Sequence, residues 1–304
     1  MAIRFRLGSR GSPLALVQAH LARDALAAAH GWPVDAIAVV PVKTTGDRVQ
    51  DRALADIGGK ALWTKELDRA LLAHEIDAAV HSMKDVETIR PAGIAIAAML
   101  PRADVRDRLI GAGSIDALPH GARVGTSSPR RRAQLLALRP DLKIVLFRGN
   151  VDTRLAKLAA GEAEATLLAA AGLDRLGRPE VGVAIPADVM LPAPAQGAIG
   201  VEARADDPRT RALLTAIDDA PTHRCVAAER ALLAALQADC HSPVAALATV
   251  REDVVTVRAT LYSPDGSVAE AGERTGADGG AVAAALAVEL LERAPPVIRA
   301  LFAG

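Results

Sequence analysis

Short β-type runs alternate with helical patterns through the first two thirds of the chain. That alternation dictates mostly parallel sheets with helices on their faces. Ile3, Phe5 and Leu7 alternate with Arg4 and Arg6, the period-2 pattern of a strand. Ser12-Pro13 then supplies an N-cap and a proline at the first helical position. Leu14, Val17, Leu21, Ala25 and Ala28 follow at helical spacing, and Gly31 stops the helix. A second strand is predicted over 36–42, a helix over 64–74, a buried strand over 78–81 and another strand over 93–100. The polar, glycine-containing stretch 43–60 predicts a long loop, and long loops in compact domains are usually functional. The pattern then restarts, with strands over 123–126, 142–147, 165–169 and 198–203 and helices over 128–139, 151–160 and 208–219. Prolines punctuate 186–194 and suggest a crossing between lobes. After residue 220 the character changes. A helix over 222–236 precedes strands over 244–250, 254–261 and 267–274, with Ser263-Pro264-Asp265-Gly266 as a hairpin turn and a last helix over 277–293. This tail reads as a small α+β domain.

A length of 304 residues fits two or three such domains. Aromatic residues make up only 2%, so the cores must be built from Ala, Val, Leu and Ile. Lys+Arg and Asp+Glu both number 36, so the total charge selects no polyanionic partner, although a neutral sum can hide a basic cleft. The start, MAIRFRLGSR, has no apolar core of a secretory signal, and the longest apolar stretches fall short of a membrane span. The expectation is a cytoplasmic protein that engages neither membrane nor nucleic acid and acts as a monomer.

The generic chemistry motifs fail. Gly58-Gly59-Lys60 lacks the rest of a P-loop, and Gly111-Ala112-Gly113 lacks the third glycine of a dinucleotide fingerprint. His223, Cys225, Cys240 and His241 have the wrong spacing for zinc, so no metal is expected. Cys225 begins an apolar helical face and reads as core. Cys240 sits in a polar loop between a helix and a strand, where it is either a plain surface cysteine or a nucleophile or covalent tether.

Cations recur at element ends. Arg10 follows the first strand, Lys84 follows the strand at 78–81, and Arg130, Arg131 and Arg132 lie in a first helical turn. Arg148 follows the strand at 142–147, and Arg154 opens the next helix. Ligands of open α/β sheets bind beyond the carboxyl ends of strands, and helix N-termini favour anions. Cations there oppose the helix dipole unless an anionic ligand offsets them. Arginine predominates, which fits bidentate grip on carboxylates. One acid, Asp85, stands among these cations. It is either an ion-paired loop residue or a charge stabiliser and proton shuttle.

Taken together, several segments in order resemble the hydroxymethylbilane synthase (porphobilinogen deaminase) family. They are GSRGSPLAL at 8–16, TTGD at 44–47, GGKALWTKEL at 58–67, AVHSMKDV at 79–86, VGTSSPRRRAQL at 124–135, RGNVDTRLAKL at 148–158, LPAPAQGAIGVE at 191–202 and the loop cysteine at 240. The resemblance implies two α/β lobes like those of periplasmic binding proteins, with mostly parallel sheets and the active site in the cleft between them. A small α+β C-terminal domain would bear the cofactor. The implied domains are 1–99 with 197–219, 100–196, and 220–304. The implied reaction condenses four porphobilinogen molecules with loss of ammonia on a dipyrromethane cofactor, then releases the linear tetrapyrrole by hydrolysis. By position, the resemblance makes Cys240 the thioether tether and Asp85 the catalytic carboxylate. It assigns the cofactor to Ser82, Lys84, Asp85, Thr126, Ser127, Ser128, Arg130 and Arg131, and substrate to Arg10, Ser12, Arg148, Arg154, Gln196 and Gly197. Residues 43–60 would cover the cleft.

The chain departs from the family pattern at four places. Ala238-Asp239 stands where Gly-Gly usually precedes the tether, His241-Ser242 replaces Gln-Val, Ala195 replaces a glycine, and Trp63 replaces a phenylalanine. A glycine-to-alanine change restricts the backbone wherever φ must be positive. Two rival readings have definite signatures. A non-catalytic, two-lobed anion-binding protein would need neither Asp85 nor Cys240. Nucleic-acid binding through Arg130–Arg132 is disfavoured by the shortage of aromatic residues and the zero net charge.

Overall fold

The computed structural model describes residues 3–42 and 64–302. The predicted loop at 43–60, the TTGD segment, Trp63 and most of the 58–67 motif lie outside the described residues. Along the first part run β1 (Phe5–Arg10), α1 (Pro13–His30), β2 (Ile37–Val42), α2 (Lys65–Leu72), β3 (Ala78–Ser82) and β4 (Ile94–Met99). Next come β5 (Asp107–Ile110), β6 (Arg123–Gly125), α3 (Pro129–Leu138), β7 (Lys143–Val145), α4 (Val151–Ala159), β8 (Ala165–Ala169), α5 (Ala170–Arg175) and β9 (Val183–Ala184). The chain continues through β10 (Ile199–Arg204), α6 (Pro208–Thr215) and α7 (Ala220–Ala235). It ends with β11 (Val244–Arg251), β12 (Val254–Tyr262), β13 (Ala269–Gly276), α8 (Gly279–Arg293) and α9 (Pro296–Arg299).

The chain divides into two compact units, Met1–Ala103 with Ala198–His223, and Asp104–Gly197 with Arg224–Gly304. In the first, the strand order is β2-β1-β3-β10-β4. β1 runs parallel to β2 and β3, while β10 is antiparallel to both β3 and β4. One face of this sheet buries Phe5, Leu7, Val80 and Val201 under Ala22 and Leu26 of α1. The other face packs Ala79 and Ile94 against Leu67 and Leu71 of α2. Helix α1 starts and stops where predicted: Ser12 accepts a hydrogen bond from the Ala15 N–H, and Gly31 closes the helix at φ +61°.

The second unit holds two sheets. The larger has order β7-β6-β8-β5-β9, with β6 parallel to β7 and β8 and with β5 antiparallel to β8 and β9. The smaller is the antiparallel meander β11-β12-β13, whose core of Val244, Val257 and Leu261 closes on Leu232 of α7 and on Leu286 and Leu290 of α8. The predicted hairpin turn joins β12 to β13 and sits close against α3. A Cβ at Gly266 (φ +71°) would lie 2.2 Å from the Ala133 carbonyl oxygen, so only glycine fits there. Arg132 Nε donates to the Pro264 carbonyl in the same place.

The expected α/β class with mostly parallel sheets holds, and the differences are local. β5 and β9 were not predicted. β5 opens on Asp107-Arg108, and a charged start masks the period-2 signal. β1 begins at Phe5 and leaves Ile3 exposed. α6 ends at Thr215, short of the predicted 219. The Asp218 carboxylate accepts the Met99 N–H at 2.7 Å, and Asp219 accepts the Thr222 N–H at 2.9 Å and so starts the next helix. Such local acceptor bonds compete with helix continuation.

Candidate functional site

In the first unit β1 and β3 are parallel neighbours, so their carboxyl ends emerge on one sheet edge. Arg10 ends β1, and Ser82 ends β3. A single 3₁₀ turn, Met83–Asp85, then reverses the chain. Its anchor is the buried Met83, whose N–H donates to the Ala198 carbonyl at 3.1 Å. The turn leaves Lys84 and Asp85 half-buried. The result is an open hollow of about 420 Å³ lined by Arg10, Ser12, Gln18, His81, Ser82 and Asp85 among others. Four sequence-predicted residues, Arg10, Ser12, Ser82 and Asp85, therefore meet in one place. Lys84 is on the same turn but is not among the lining residues.

Behind the hollow lies an ionic network that the sequence did not announce. Glu202 of β10 is completely buried. Arg90 grips it bidentately, Nε to Oε1 at 2.8 Å and Nη2 to Oε2 at 2.9 Å. The same guanidinium also donates to Asp68 of α2 at 2.5 Å and to Glu87 at 2.7 Å. His81 Nε2 lies 3.1 Å from Glu202 Oε2. Burial pushes the Glu202 carboxyl up, but the facing His81 and Arg90 outweigh it and hold it down at about 2. Asp68 goes the other way: burial raises its carboxyl despite Arg90.

In the second unit the strand β6 ends at Gly125, where any Cβ would lie 2.4 Å from the buried Phe147 ring. Thr126 follows, with its N–H donating to the Val145 carbonyl at 2.9 Å. The Thr126 hydroxyl accepts the Ser128 N–H at 3.1 Å, and the Ser128 hydroxyl accepts the Arg131 N–H at 3.4 Å, capping α3. Ser127 is half-buried between them.

Arg130 and Arg131 do not project freely from this helix start. Both are buried and clamp Asp107 of β5, Arg130 at 2.8 Å and Arg131 at 2.7 Å. Their other Nη atoms donate to the Leu191 and Leu167 carbonyls, at 2.8 and 2.9 Å. Gln196 joins the cluster, with Nε2 donating to Asp107 Oδ1 at 2.9 Å and to the Val105 carbonyl at 2.7 Å. Burial pushes the Asp107 carboxyl up, yet the two guanidinium groups overcome it and hold it well below the usual range. Burial lowers Arg130 against the pull of Asp107. Two arginines on one acid leave the cluster with a net positive charge, and the Nε atom of each arginine is buried without a partner.

Arg148 is different. It follows β7, which is parallel to β6, and so belongs to the same sheet edge as Thr126. No ion pair or hydrogen bond holds its side chain among the described residues, and its Nη1 is buried without a partner. An unsatisfied buried donor on a cation costs about 1–3 kcal/mol or more, so the position is expensive until an anion meets it. Arg154, in the first turn of α4, donates Nε to the Gly149 carbonyl at 3.0 Å, while Asn150 caps the helix. Gly197, at φ +86°, is buried, and its carbonyl accepts from Arg175 Nη2 at 2.7 Å. Burial lowers Arg175 to about 10, the sign of a cation placed in poor solvent.

Cys240 is exposed and in no disulfide, in the turn between α7 and β11, and Cys225 is buried as expected. The Asp239 carboxylate accepts the His241 N–H at 2.8 Å, and the Asp239 N–H donates to the Ser242 hydroxyl at 3.1 Å. Neither Ala238 nor Asp239 has positive φ; the left-handed residue in this turn is Gln237, at φ +52°. The missing Gly-Gly therefore imposes no backbone strain. Ala195 does sit at φ +61°, where alanine is disfavoured. Its N–H donates to the buried carboxylate of Glu229 on α7, whose other oxygen accepts the Ala248 N–H at 2.7 Å.

The donor set suits an anionic oligopyrrole: an orphaned guanidinium, a buried cluster of net positive charge and an exposed thiol within one unit. His81, Glu202, Arg90, Asp107 and Arg175 escaped the sequence reading. His81 and Glu202 fall inside quoted motifs, but nothing in their spacing marks them as partners.

Comparison with known proteins agrees over nearly the whole chain. Residues 5–212 match the family model described as porphobilinogen deaminase, dipyromethane cofactor binding domain, and 223–293 match that of the porphobilinogen deaminase C-terminal domain. The porphobilinogen deaminase of Sphingopyxis alaskensis is 61% identical, over 98% of this chain and 96% of its own length. That of Paracoccus denitrificans is 57% identical, over 95% and 94%. Among solved structures, an arginine transport system periplasmic binding protein from Legionella pneumophila matches 70% of this chain and 91% of its own at 14% identity, with a TM-score of 0.39.

Proposed function

The chain belongs to the porphobilinogen deaminase family, and we propose that within the reaction of that family Asp85 serves the chemistry while the arginines hold carboxylates. The enzyme is a transferase that condenses four porphobilinogen molecules with loss of ammonia and releases the linear tetrapyrrole hydroxymethylbilane. Its dipyrromethane cofactor supplies, when bound, the pyrrole primer on which the product grows.

Each pyrrole carries an acetate and a propionate. Arg148, with its buried Nη1 unpartnered, is the strongest candidate to grip one of them, and Arg10 and Ser12 provide donors at the hollow. Charge-assisted bonds of this kind contribute about 1.5–3 kcal/mol each. Arg130 and Arg131 act through the net positive charge of their cluster and through Nε, because Asp107 already occupies an Nη of each. Lys84, Ser82, Thr126, Ser127, Ser128 and Arg154 complete the donors. Gln196 and Gly197 are the remaining proposed substrate contacts. Cys240, exposed and in no disulfide, is the proposed tether.

Loss of ammonia and coupling both develop positive charge on pyrrole nitrogens. A carboxylate at Asp85, half-buried at the hollow, accepts those N–H groups and stabilises that charge. The observation that carries this reading is the placement of Asp85 with Arg10 and Ser12 around one hollow at a sheet edge. Asp85→Asn tests it. The variant should keep its fold and its cofactor mass but lose turnover by roughly a thousandfold. Near-normal product formation would remove the assigned role.

The domain proposal keeps three parts, 1–99 with 197–219, 100–196 and 220–304. Its support is that the second unit contains two separate sheets, each with its own core. No helix among the described residues is long and apolar enough to cross a membrane. A cytoplasmic monomer that needs neither membrane nor nucleic acid completes the proposal, and sedimentation of the purified enzyme checks its oligomeric state.

A further inference from the structure

Coupling of pyrroles releases a proton, and the hollow holds a second group suited to receive it. We propose that His81, backed by Glu202, is the base that takes this proton; the inference rests on the reading of Asp85 given above. His81 ends the buried part of β3 and lines the same hollow as Asp85. Across the sheet it pairs with Gly200 of β10, and Glu202 is two residues further along on the same face. That register brings the imidazole Nε2 to 3.1 Å from the buried Glu202 carboxylate. Nε2 is itself buried, and the contact is close but not aligned as a hydrogen bond. Catalytic hydrogen bonds are often poorly aligned before substrate arrives and tighten when charge develops.

The groups around the ring decide which charge it favours. Glu202 faces it from β10, with Asp68 of α2 and Glu87 behind, and Arg90 is the cation shared among those three acids. Arg10 and Asp85 line the same hollow. Three carboxylates on one guanidinium leave an excess of negative charge behind the imidazole. A proton arriving on the ring is therefore stabilised. A carboxylate behind a histidine does this in other base-catalysed reactions by fixing the tautomer and holding the imidazolium.

The C–N bond of the ammonium form of porphobilinogen breaks, and ammonia leaves with the electron pair. The resulting electron-poor methylene forms a C–C bond with the free α-carbon of the previously condensed pyrrole. The C–H bond at that α-carbon breaks, and its electron pair restores the aromatic ring. The proton passes to Nδ1 of His81, and Nε2–H is held by Glu202. The imidazolium then returns the proton to the departing ammonia. His81 is the catalytic base, while Glu202 and Arg90 are positioning residues.

The test uses the cofactor-loaded enzyme, α-deuterated porphobilinogen and rapid-quench intact-mass detection of successive additions. His81→Asn should load cofactor and bind the first substrate yet slow each addition on the order of a hundredfold. It should also show a primary deuterium isotope effect and lose the acid limb of the pH–rate profile. Glu202→Gln removes the charge that favours the imidazolium, so the acid limb should move to lower pH. A histidine that only supports the core predicts lost thermal stability with an unchanged limb and no isotope effect; that result overturns the inference. So does a His81→Asn enzyme with wild-type rate and profile. Asp85→Asn separates the two readings. If it is inactive while His81→Asn is normal, only the base assignment falls. If Asp85→Asn turns over normally, the site reading itself falls.

Discussion

Strands β1 and β6 end alike. Each is the second strand of a five-stranded sheet whose fourth strand is antiparallel, in the orders β2-β1-β3-β10-β4 and β7-β6-β8-β5-β9. Each is followed by a serine–proline pair, and Ser12 and Ser128 cap their helices with the same bond at 3.4 Å. The difference is in the first helical turn. In α1 that turn is Pro13-Leu14-Ala15, without charge, and it borders an open hollow. In α3 it is Pro129-Arg130-Arg131, and the protein fills the space beyond it with its own carboxylate, Asp107. Two cations at a helix N-terminus oppose the dipole. A buried acid offsets that cost in α3, whereas α1 avoids it by keeping Arg10 on the strand. The same backbone device thus yields a receptive edge in one unit and a self-satisfied cluster in the other, beside which Arg148 remains unmatched.

The largest effect should come from breaking the self-satisfied side. Asp107→Asn leaves two buried guanidinium groups without their counter-charge. Removing one partner of a buried pair typically costs about 3–5 kcal/mol. Arg131→Leu should cost part of that amount, because it takes one of two counter-charges from Asp107 and a donor from the Leu167 carbonyl, while Arg130 and Gln196 still hold the carboxylate. Denaturant unfolding measures both. Wild-type stability in either variant would mean that the cluster is not what distinguishes α3 from α1.

Arg148→Leu should behave in the opposite way. It removes an unmatched donor, so unfolding free energy should stay constant or rise. Loss of a charge-assisted grip of about 1.5–3 kcal/mol should lower kcat/KM by roughly ten- to a hundredfold. The contrast between Arg131 and Arg148 rests on their partners: Asp107 meets the first, and no partner meets the Nη1 of the second. Sequence gives the position of a guanidinium but not the direction it turns.

Acid titration sharpens the comparison in the first unit. Glu202 is held down at about 2, below the ordinary glutamate value near 4.3. Its contribution to stability is therefore complete above about pH 4.3 and is lost as pH falls through about 2. Glu202→Gln should lose that pH dependence, seen as a flatter acid limb in unfolding free energy over this window.

Much of the fold was legible because periodicity and caps are local: β1, α1, β3, α3 and the C-terminal hairpin follow from alternation, Ser-Pro starts and a Pro-Asp-Gly turn. The residues that bind the site together were less so. β5 was hidden by Asp107-Arg108, and Asp107 acquires its role only when β5 lies beside β8, a pairing set by topology. His81 and Glu202 are 121 positions apart and meet only because β10 returns antiparallel to β3. The exposed thiol of Cys240 was readable from its polar loop, whereas the conformation at Ala195 needed the backbone itself.

Ala195 gives the smallest and most exacting test. Its φ of +61° costs alanine about 1–2 kcal/mol that glycine avoids. Glycine, however, also gains freedom in the unfolded chain, worth about 0.4–1 kcal/mol against folding. Ala195→Gly should therefore raise stability by about 0–1.6 kcal/mol in denaturant unfolding. The Glu229 carboxylate accepts the Ala195 N–H and the Ala248 N–H, so it holds the strained residue between α7 and β11. If that hold is what makes alanine tolerable, Glu229→Gln should destabilise the natural chain more than it destabilises Ala195→Gly. Equal losses in the two backgrounds would show that the carboxylate and the strain are independent.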